Sequence, residues 1–99
     1  MQIAASTEGD HTTLTITGRV DTNTSPELQD EITKAFQSTK NVVLDFAGVD
    51  YISSAGLRAL LIGHKTAAAK KGSFALTNVN AQVTAILQTV GFSKILAIR

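Results

Sequence analysis

Two adjacent serines, Ser53 and Ser54, follow the apolar run 42–46 and precede the leucine-rich stretch 57–61. This near-continuous apolar run, interrupted only by Asp45, predicts a strand buried on both faces, and the leucines that follow it predict a helix. The serines would then lie at a helix N-terminus, where unpaired N–H groups and a partial positive charge favour an anion. A serine in that position can cap the helix, and it can also carry a phosphate at low electrostatic cost.

Other kinds of reactive site find little support in the residues. The chain has no cysteine and two isolated histidines, His11 and His64, so we expect neither a disulfide nor a metal site. A serine between a strand and a helix also occurs in hydrolases, but their nucleophile turn needs glycine where Ile52 stands. Because His64 shares the serines' own predicted helix, it supplies no evident base. We therefore expect no enzymatic activity and no cofactor.

Composition indicates one small globular domain. The chain has 99 residues, of which 43% are hydrophobic, and a formal net charge of +1. This charge and the few aromatic residues argue against binding to nucleic acid. No stretch has the pattern of a signal peptide or the roughly 18 apolar residues of a membrane span, so we expect a cytoplasmic protein without membrane insertion.

The elements that must position the serines follow from periodicity and turn chemistry. Alternating threonines predict an antiparallel hairpin over 2–6 and 12–17 with one wet face. The first helix starts at Thr24-Ser25-Pro26-Glu27, which offers a hydroxyl cap, an early proline and an early acid. The later elements are a strand over 41–46, a helix over 55–70 ended by Gly72, a strand over 73–77, a helix between Asn80 and Gly91, and a strand over 94–98. The order ββαβαβαβ predicts an α/β domain with a mixed, mostly parallel sheet of four to five strands and three helices.

The second predicted helix can be divided into three faces. The apolar face is expected to contact the sheet and contains Leu57, Leu60, Leu61, His64 and Ala68. The face on the side of Ser54 contains Arg58, Ile62, Lys65 and Ala69, which would leave an apolar residue on a wet surface. The third face contains the small residues Ala59, Gly63 and Ala67, for which we expect packing inside the molecule rather than an interface.

A family resemblance rests on these residues. The run Tyr51-Ile52-Ser53-Ser54-Ala55-Gly56-Leu57-Arg58 resembles the signature of STAS domains, the bacterial anti-sigma factor antagonist family. Gly18-Arg19-Val20-Asp21 is similar to the family's turn after the second strand, and Val90-Gly91-Phe92 to its turn after the third helix. The resemblance implies one STAS domain over residues 1–99. It also implies an unphosphorylated form that binds an anti-sigma factor, itself a serine kinase with a histidine-kinase-like ATPase fold, and a PP2C-type phosphatase that reverses the phosphorylation.

The resemblance assigns roles to individual residues. The family's turn often reads Asp-Ser-Ser/Thr-Gly-Leu, with the phosphate on the first serine after the acid; this serine is Ser54, and Ser53 replaces the acid. Together with the helix faces, the resemblance implies a partner-binding surface of Asp21, Ser53, Ser54, Gly56, Arg58, Ile62 and Lys65.

Two alternatives stay open at this point. Asp21 is as well suited to bonding its own turn as to contacting a kinase. The serine in place of the acid slightly favours a second function, that of a STAS subunit which is never phosphorylated and acts as a scaffold in a membrane-associated assembly such as a lipid-transport ATPase.

Overall fold

The computed structural model describes residues 1–99 and forms one five-stranded sheet with three α-helices. The elements are β1 Gln2–Glu8, β2 His11–Val20, α1 Ser25–Ser38, β3 Asn41–Ile52, α2 Ser54–Lys70, β4 Ser73–Thr77, α3 Ala81–Thr89, a 3₁₀ turn Phe92–Lys94 and β5 Ala97–Ile98. The strands lie in the order β1-β2-β3-β4-β5, with β1 antiparallel to β2 and every other pair parallel. The predicted α/β class, element order and mixed sheet are confirmed.

All three helices cover the same face of the sheet. Each parallel connection moves one strand further in the same direction, and right-handed crossovers then place the helices on one side. Helix residues Leu28, Leu60 and Leu87 accordingly join a single core with alternate strand residues such as Leu14 and Leu44. The strand residues between them face away from the helices, which leaves Thr15 and Thr17 exposed. The expected wet face of the first hairpin is confirmed.

The third strand is longer than its apolar run. The prediction that it ends at residue 46 is wrong, because β3 continues to Ile52 alongside the outer part of β2, where Val20 pairs with Ile52. Two register shifts interrupt this pairing, and such bulges remove the alternation that identifies a strand from sequence. For the same reason Gly18-Arg19-Val20 lies inside β2 and not in a turn after it. The two strands thus extend to the base of the serine turn.

Helix α2 meets the sheet through its small residues. The prediction that its leucine face contacts the sheet holds only in part: Leu60 is fully buried and Leu57 packs against the core, but Leu61 and His64 are half-buried and Ala68 is exposed. The buried residues are Gly56, Ala59, Leu60, Gly63 and Ala67. A β-carbon on Gly63 would lie 2.6 Å from the ring of Phe74, so that ring occupies the space which a side chain there would need. The expected packing of the small face within the molecule is confirmed.

Two element ends also differ from prediction. Lys71, and not Gly72, takes the left-handed conformation after α2 with φ 57°. Gly72 is needed for close approach instead, since a β-carbon there would overlap the carbonyl oxygen of Lys40. The predicted last strand is shorter, because a 3₁₀ turn occupies its beginning and only Ala97–Ile98 pairs with β4. None of the helices combines the length and the apolar character of a membrane span.

Candidate functional site

The two serines hold different positions at the start of α2. Ser53 is the N-cap, and its Oγ accepts a hydrogen bond from the Gly56 N–H at 3.3 Å. Ser54 is the first helical residue; its side chain is exposed and makes no hydrogen bond within the chain. The two roles that the sequence leaves to either serine are therefore divided, since one caps the helix and the other presents its hydroxyl to solvent.

The backbone of the turn is fixed by its neighbours. The Ser53 N–H donates to the Val20 carbonyl at 2.8 Å, and the Ser53 carbonyl accepts from Leu57 N–H at 2.9 Å. Gly56 is buried, and a β-carbon there would lie 2.6 Å from Ile52 Cγ1 and 2.7 Å from Val20 Cγ1. The first turn of α2 thus packs directly on the ends of β2 and β3. Gly56, predicted to belong to a partner surface, is buried beneath the serines and positions them by close packing.

The electrostatic setting of Ser54 favours a negative charge. The first turn of α2 contains no acidic residue, so its partial positive charge is not offset within the helix. Arg58 lies one helical turn further on the same side, is exposed and forms no salt bridge. A phosphate on Ser54 would meet both the helix N-terminus and a guanidinium group within reach.

A shallow depression beside Ser54 separates the starts of α1 and α2. Its lining includes Ala55 and Arg58 from α2, and Pro26, Gln29 and Asp30 from α1. The lining mixes polar residues with Pro26 and Ala55, contains no aromatic side chain, and carries one charge of each sign at Asp30 and Arg58. Small-molecule sites are usually lined by apolar and aromatic side chains, so this surface is better suited to the polar side chains of a protein partner.

Asp21 stabilises its own loop at the same end of the sheet as Ser53. Its Oδ1 accepts hydrogen bonds from the N–H groups of Asn23 and Thr24, both at 3.0 Å. The Thr24 N–H bond, above all, holds the pKa of the Asp21 carboxyl below its usual range. Thr24 is the N-cap residue of α1, but its hydroxyl donates to the Arg19 carbonyl at 2.9 Å and makes no capping hydrogen bond, so the predicted hydroxyl cap is not formed. The turn-bonding alternative for Asp21 is thus observed, while its side chain stays 31% exposed.

Two exposed side chains next to the turn, Arg19 and Tyr51, have no predicted role of their own. The Arg19 guanidinium lies over the Tyr51 ring, 4.3 Å from its centroid, and Arg19 Nε is 3.8 Å from Asp21 Oδ2. Tyr51 is 38% exposed although it is large and aromatic. Tyrosine and arginine are enriched among residues that dominate binding energy at interfaces. An aromatic residue two positions before Ser53 was the available signal, but its pairing with Arg19 depends on the extended strands.

The predicted partner residues do not all lie together. Four of them lie together at the end of the sheet where β2 and β3 finish: Asp21, Ser53, Ser54 and Arg58. Ile62 is half-buried and Lys65 is exposed on α2. At about 1.5 Å per residue, Lys65 lies about 16 Å along the helix from Ser54. These two residues can contact only a partner that also extends along the helix.

Comparison with known proteins agrees with the fold. A family model described as "STAS domain" matches residues 2–99. A putative anti-sigma factor antagonist from Thermotoga maritima has a TM-score of 0.90 at 18% identity, covering 97% of this chain and 84% of that chain. An anti-sigma factor antagonist from Mycobacterium paratuberculosis has a TM-score of 0.86 at 18% identity, covering 98% and 83%. The Bacillus cell fate determinant SpoIIAA, in its phosphorylated form, has a TM-score of 0.77 at 16% identity, covering 99% and 91%. Because the family model spans almost every residue, the chain belongs to the STAS domain family.

Proposed function

We propose that this domain is an anti-sigma factor antagonist switched by phosphorylation of Ser54. The observation that carries the proposal is the division of roles in the turn, in which Ser53 caps α2 and leaves the Ser54 hydroxyl exposed and unbonded. Membership of the STAS family supports it, as does the similar fold of solved antagonists, one of them in a phosphorylated form. The domain would act as a binding module and not as an enzyme.

In the proposed cycle the domain has two partners, an anti-sigma factor and a phosphatase. Unphosphorylated, the domain binds an anti-sigma factor with a histidine-kinase-like ATPase fold, which then releases its sigma factor. The same anti-sigma factor phosphorylates Ser54 and is set free again. A PP2C-type phosphatase removes the phosphate. Since a sigma factor acts on RNA polymerase, this exchange belongs in the cytoplasm.

The position of Ser54 determines how such a switch operates. Phosphorylation adds about −1.5 to −2 charges at neutral pH, and the N-terminus of α2 and Arg58 stabilise negative charge there. The helix is therefore expected to persist, and the phosphate must act at the interface through repulsion, bulk and its cost of desolvation. A loss of about 1.4 kcal/mol of interface energy lowers affinity tenfold, so one unmatched phosphate suffices for a switch.

The partner surface we propose is centred on the ends of β2 and β3. Asp21, Ser53, Ser54 and Arg58 form its polar part, and Tyr51 adds an aromatic contact held in place by its arginine neighbour. Gly56 contributes by close packing beneath the serines. Ile62 and Lys65 form the margin along α2.

Phosphopeptide mapping tests the modified residue. The purified domain is incubated with its cognate kinase and ATP, alongside the variants Ser54→Ala and Ser53→Ala. We expect one phosphate on Ser54, none in Ser54→Ala, and retention of the phosphate in Ser53→Ala. Calorimetric titration of both forms against the anti-sigma factor should then show at least a tenfold weaker complex for the phosphorylated form. Phosphate on Ser53 alone, or outside the turn, would contradict the assignment.

The scaffold function is the second candidate, and the serine in place of the family's acid favours it. The structure offers a reason why this replacement is tolerated, because serine and aspartate are equally good N-caps. Co-purification from the native host separates the two functions. A kinase and a phosphatase in the complex support the switch, whereas transporter subunits together with an unmodified Ser54 support the scaffold.

A further inference from the structure

The first strand leaves a long edge of the sheet unpaired. β1 contacts β2 on one side only, and its residues 4–8 are exposed. Proteins usually protect such edges with lysine, proline, a bulge or a very short strand. The opposite edge strand, β5, has only 2 residues, whereas β1 has 7, pairs with β2 without a register shift and carries no charge before Glu8. Apart from Glu8 at its end, this edge therefore lacks the usual protections against another strand.

The turn after β1 determines which backbone groups point outwards. Gly9 has φ 60°, as the first central residue of a two-residue type II′ hairpin turn requires, so Glu8 and His11 form a hydrogen-bonded pair. Hydrogen-bonded and non-hydrogen-bonded pairs alternate along an antiparallel ladder. The residues whose N–H and C=O groups face the open edge are therefore Ile3, Ala5 and Thr7.

We propose that a second copy of this chain pairs with β1 in antiparallel register, with the two-fold axis at Ala5. Each Ala5 then lies opposite Ala5 of the other copy, Ile3 opposite Thr7, and Gln2 opposite Glu8. Every outward N–H and C=O group finds a partner, giving about six hydrogen bonds across the axis. The edge is thus self-complementary in its backbone.

The side chains of β1 are compatible with this pairing. Residues 4–6 are Ala, Ala and Ser, so nothing bulky stands at the axis. The amide of Gln2 can donate to the carboxylate of Glu8 in the other copy, and Ile3 opposite Thr7 is a favourable pair of β-branched residues. The net charge of +1 produces little repulsion between copies.

The proposed dimer leaves the serine turn accessible. The last β1 pair along β2 is Gln2 with Thr17, and β2 continues beyond it to Val20 before the turn is reached. The dimer is therefore independent of the function proposed for Ser54, and either can fail alone. One strand pair is a small interface, so we expect weak, concentration-dependent association.

Cysteine cross-linking tests the register directly, because the chain has no cysteine of its own. In the proposed dimer the two Ala5 Cα atoms are about 5.5 Å apart, within disulfide range. The two Ala4 Cα atoms are more than about 7 Å apart, beyond that range. Under mild oxidation we expect Ala5→Cys to form a disulfide dimer at least about tenfold faster than the matched control Ala4→Cys. Equal rates, or a faster Ala4→Cys, would overturn the register and with it the proposal.

Sedimentation of the unmodified chain provides the second test. We expect its mass to rise from monomer towards dimer as the concentration approaches about 1 mM. Ala5→Pro removes the central outward N–H without removing a bond to β2, and should weaken association at least about tenfold. Ala5→Thr keeps that N–H and should associate like the unmodified chain. A monomer mass at every concentration would overturn the proposal, and would leave the edge to a strand from another protein.

Discussion

The division of roles between the two serines makes a quantitative prediction about stability. Replacing Ser53 by alanine removes the N-cap of α2, a change that costs about 1 kcal/mol, with a range of 0.5–2. The 3.3 Å hydrogen bond is long, which argues for the lower part of this range. Gly56, however, is buried, so its N–H group would lose its acceptor without gaining full access to water. We therefore expect Ser53→Ala to lower the free energy of unfolding by about 1 kcal/mol.

The matched variant is Ser54→Ala, which removes the same atom one residue later. The Ser54 hydroxyl has no hydrogen bond to lose, and alanine is the better helix former by up to about 0.5 kcal/mol. We expect Ser54→Ala to be neutral or slightly stabilising. Ser53→Asp, which restores a good cap and places an acid near the helix dipole, should retain the stability of the unmodified chain within a few tenths of a kcal/mol.

Urea denaturation followed by circular dichroism measures these differences, and thermal melting provides a second measure. A loss of about 1 kcal/mol lowers the Tm of a domain of this size by about 4–8 °C. The decisive quantity is the difference between the two alanine variants, expected to be about 1–1.5 kcal/mol. Equal effects, or a larger loss for Ser54→Ala, would refute the assignment of cap and free hydroxyl.

Three further predictions concern the same site. Ser54→Asp should weaken binding of the anti-sigma factor in calorimetric titration while the free energy of unfolding stays within about 1 kcal/mol of the unmodified chain; unchanged affinity would contradict the interface switch, and a collapse of the Tm would contradict the helix-terminus reasoning. Gly56→Ala should destabilise the domain by about 1 kcal/mol in urea denaturation. Crowding against the stiff, branched side chains of Ile52 and Val20 costs about 1–3 kcal/mol, which exceeds the gain in helix propensity of about 1 kcal/mol. A more stable variant would show that those side chains can move aside. Because the pKa of Asp21 is lowered, its ionised form stabilises the fold above about pH 4, and this stabilisation is lost as the pH falls through the folded-state pKa. The free energy of unfolding of Asp21→Asn should therefore approach that of the unmodified chain as the pH is lowered through this window. A constant difference between the two proteins across the window would contradict the role of the charge.

Much of the candidate site follows from local sequence. Ser53 and Ser54 precede a helix former, and capping is decided by the few residues around the helix start, so the turn could be placed without knowledge of the fold. Which of the two serines caps depends on where the helix begins, and this was set by the packing of Gly56 against the ends of two strands. The Tyr51–Arg19 contact was beyond sequence analysis because it joins residues paired across strands whose register contains two shifts.

The order of elements was determined by the sequence alone, since apolar periodicity, caps such as Asn80 and the left-handed Gly91 act over a few neighbouring residues. The extent of β3 and the orientation of α2 were decided by tertiary structure. The outer half of β3 is a strand because β2 supplies its hydrogen-bond partners, although its own residues do not alternate. Helix α2 turns its glycines, two alanines and Leu60 inwards, where the ring of Phe74 occupies the space that a side chain at position 63 would need, and Leu57 and Leu61 stay half-buried.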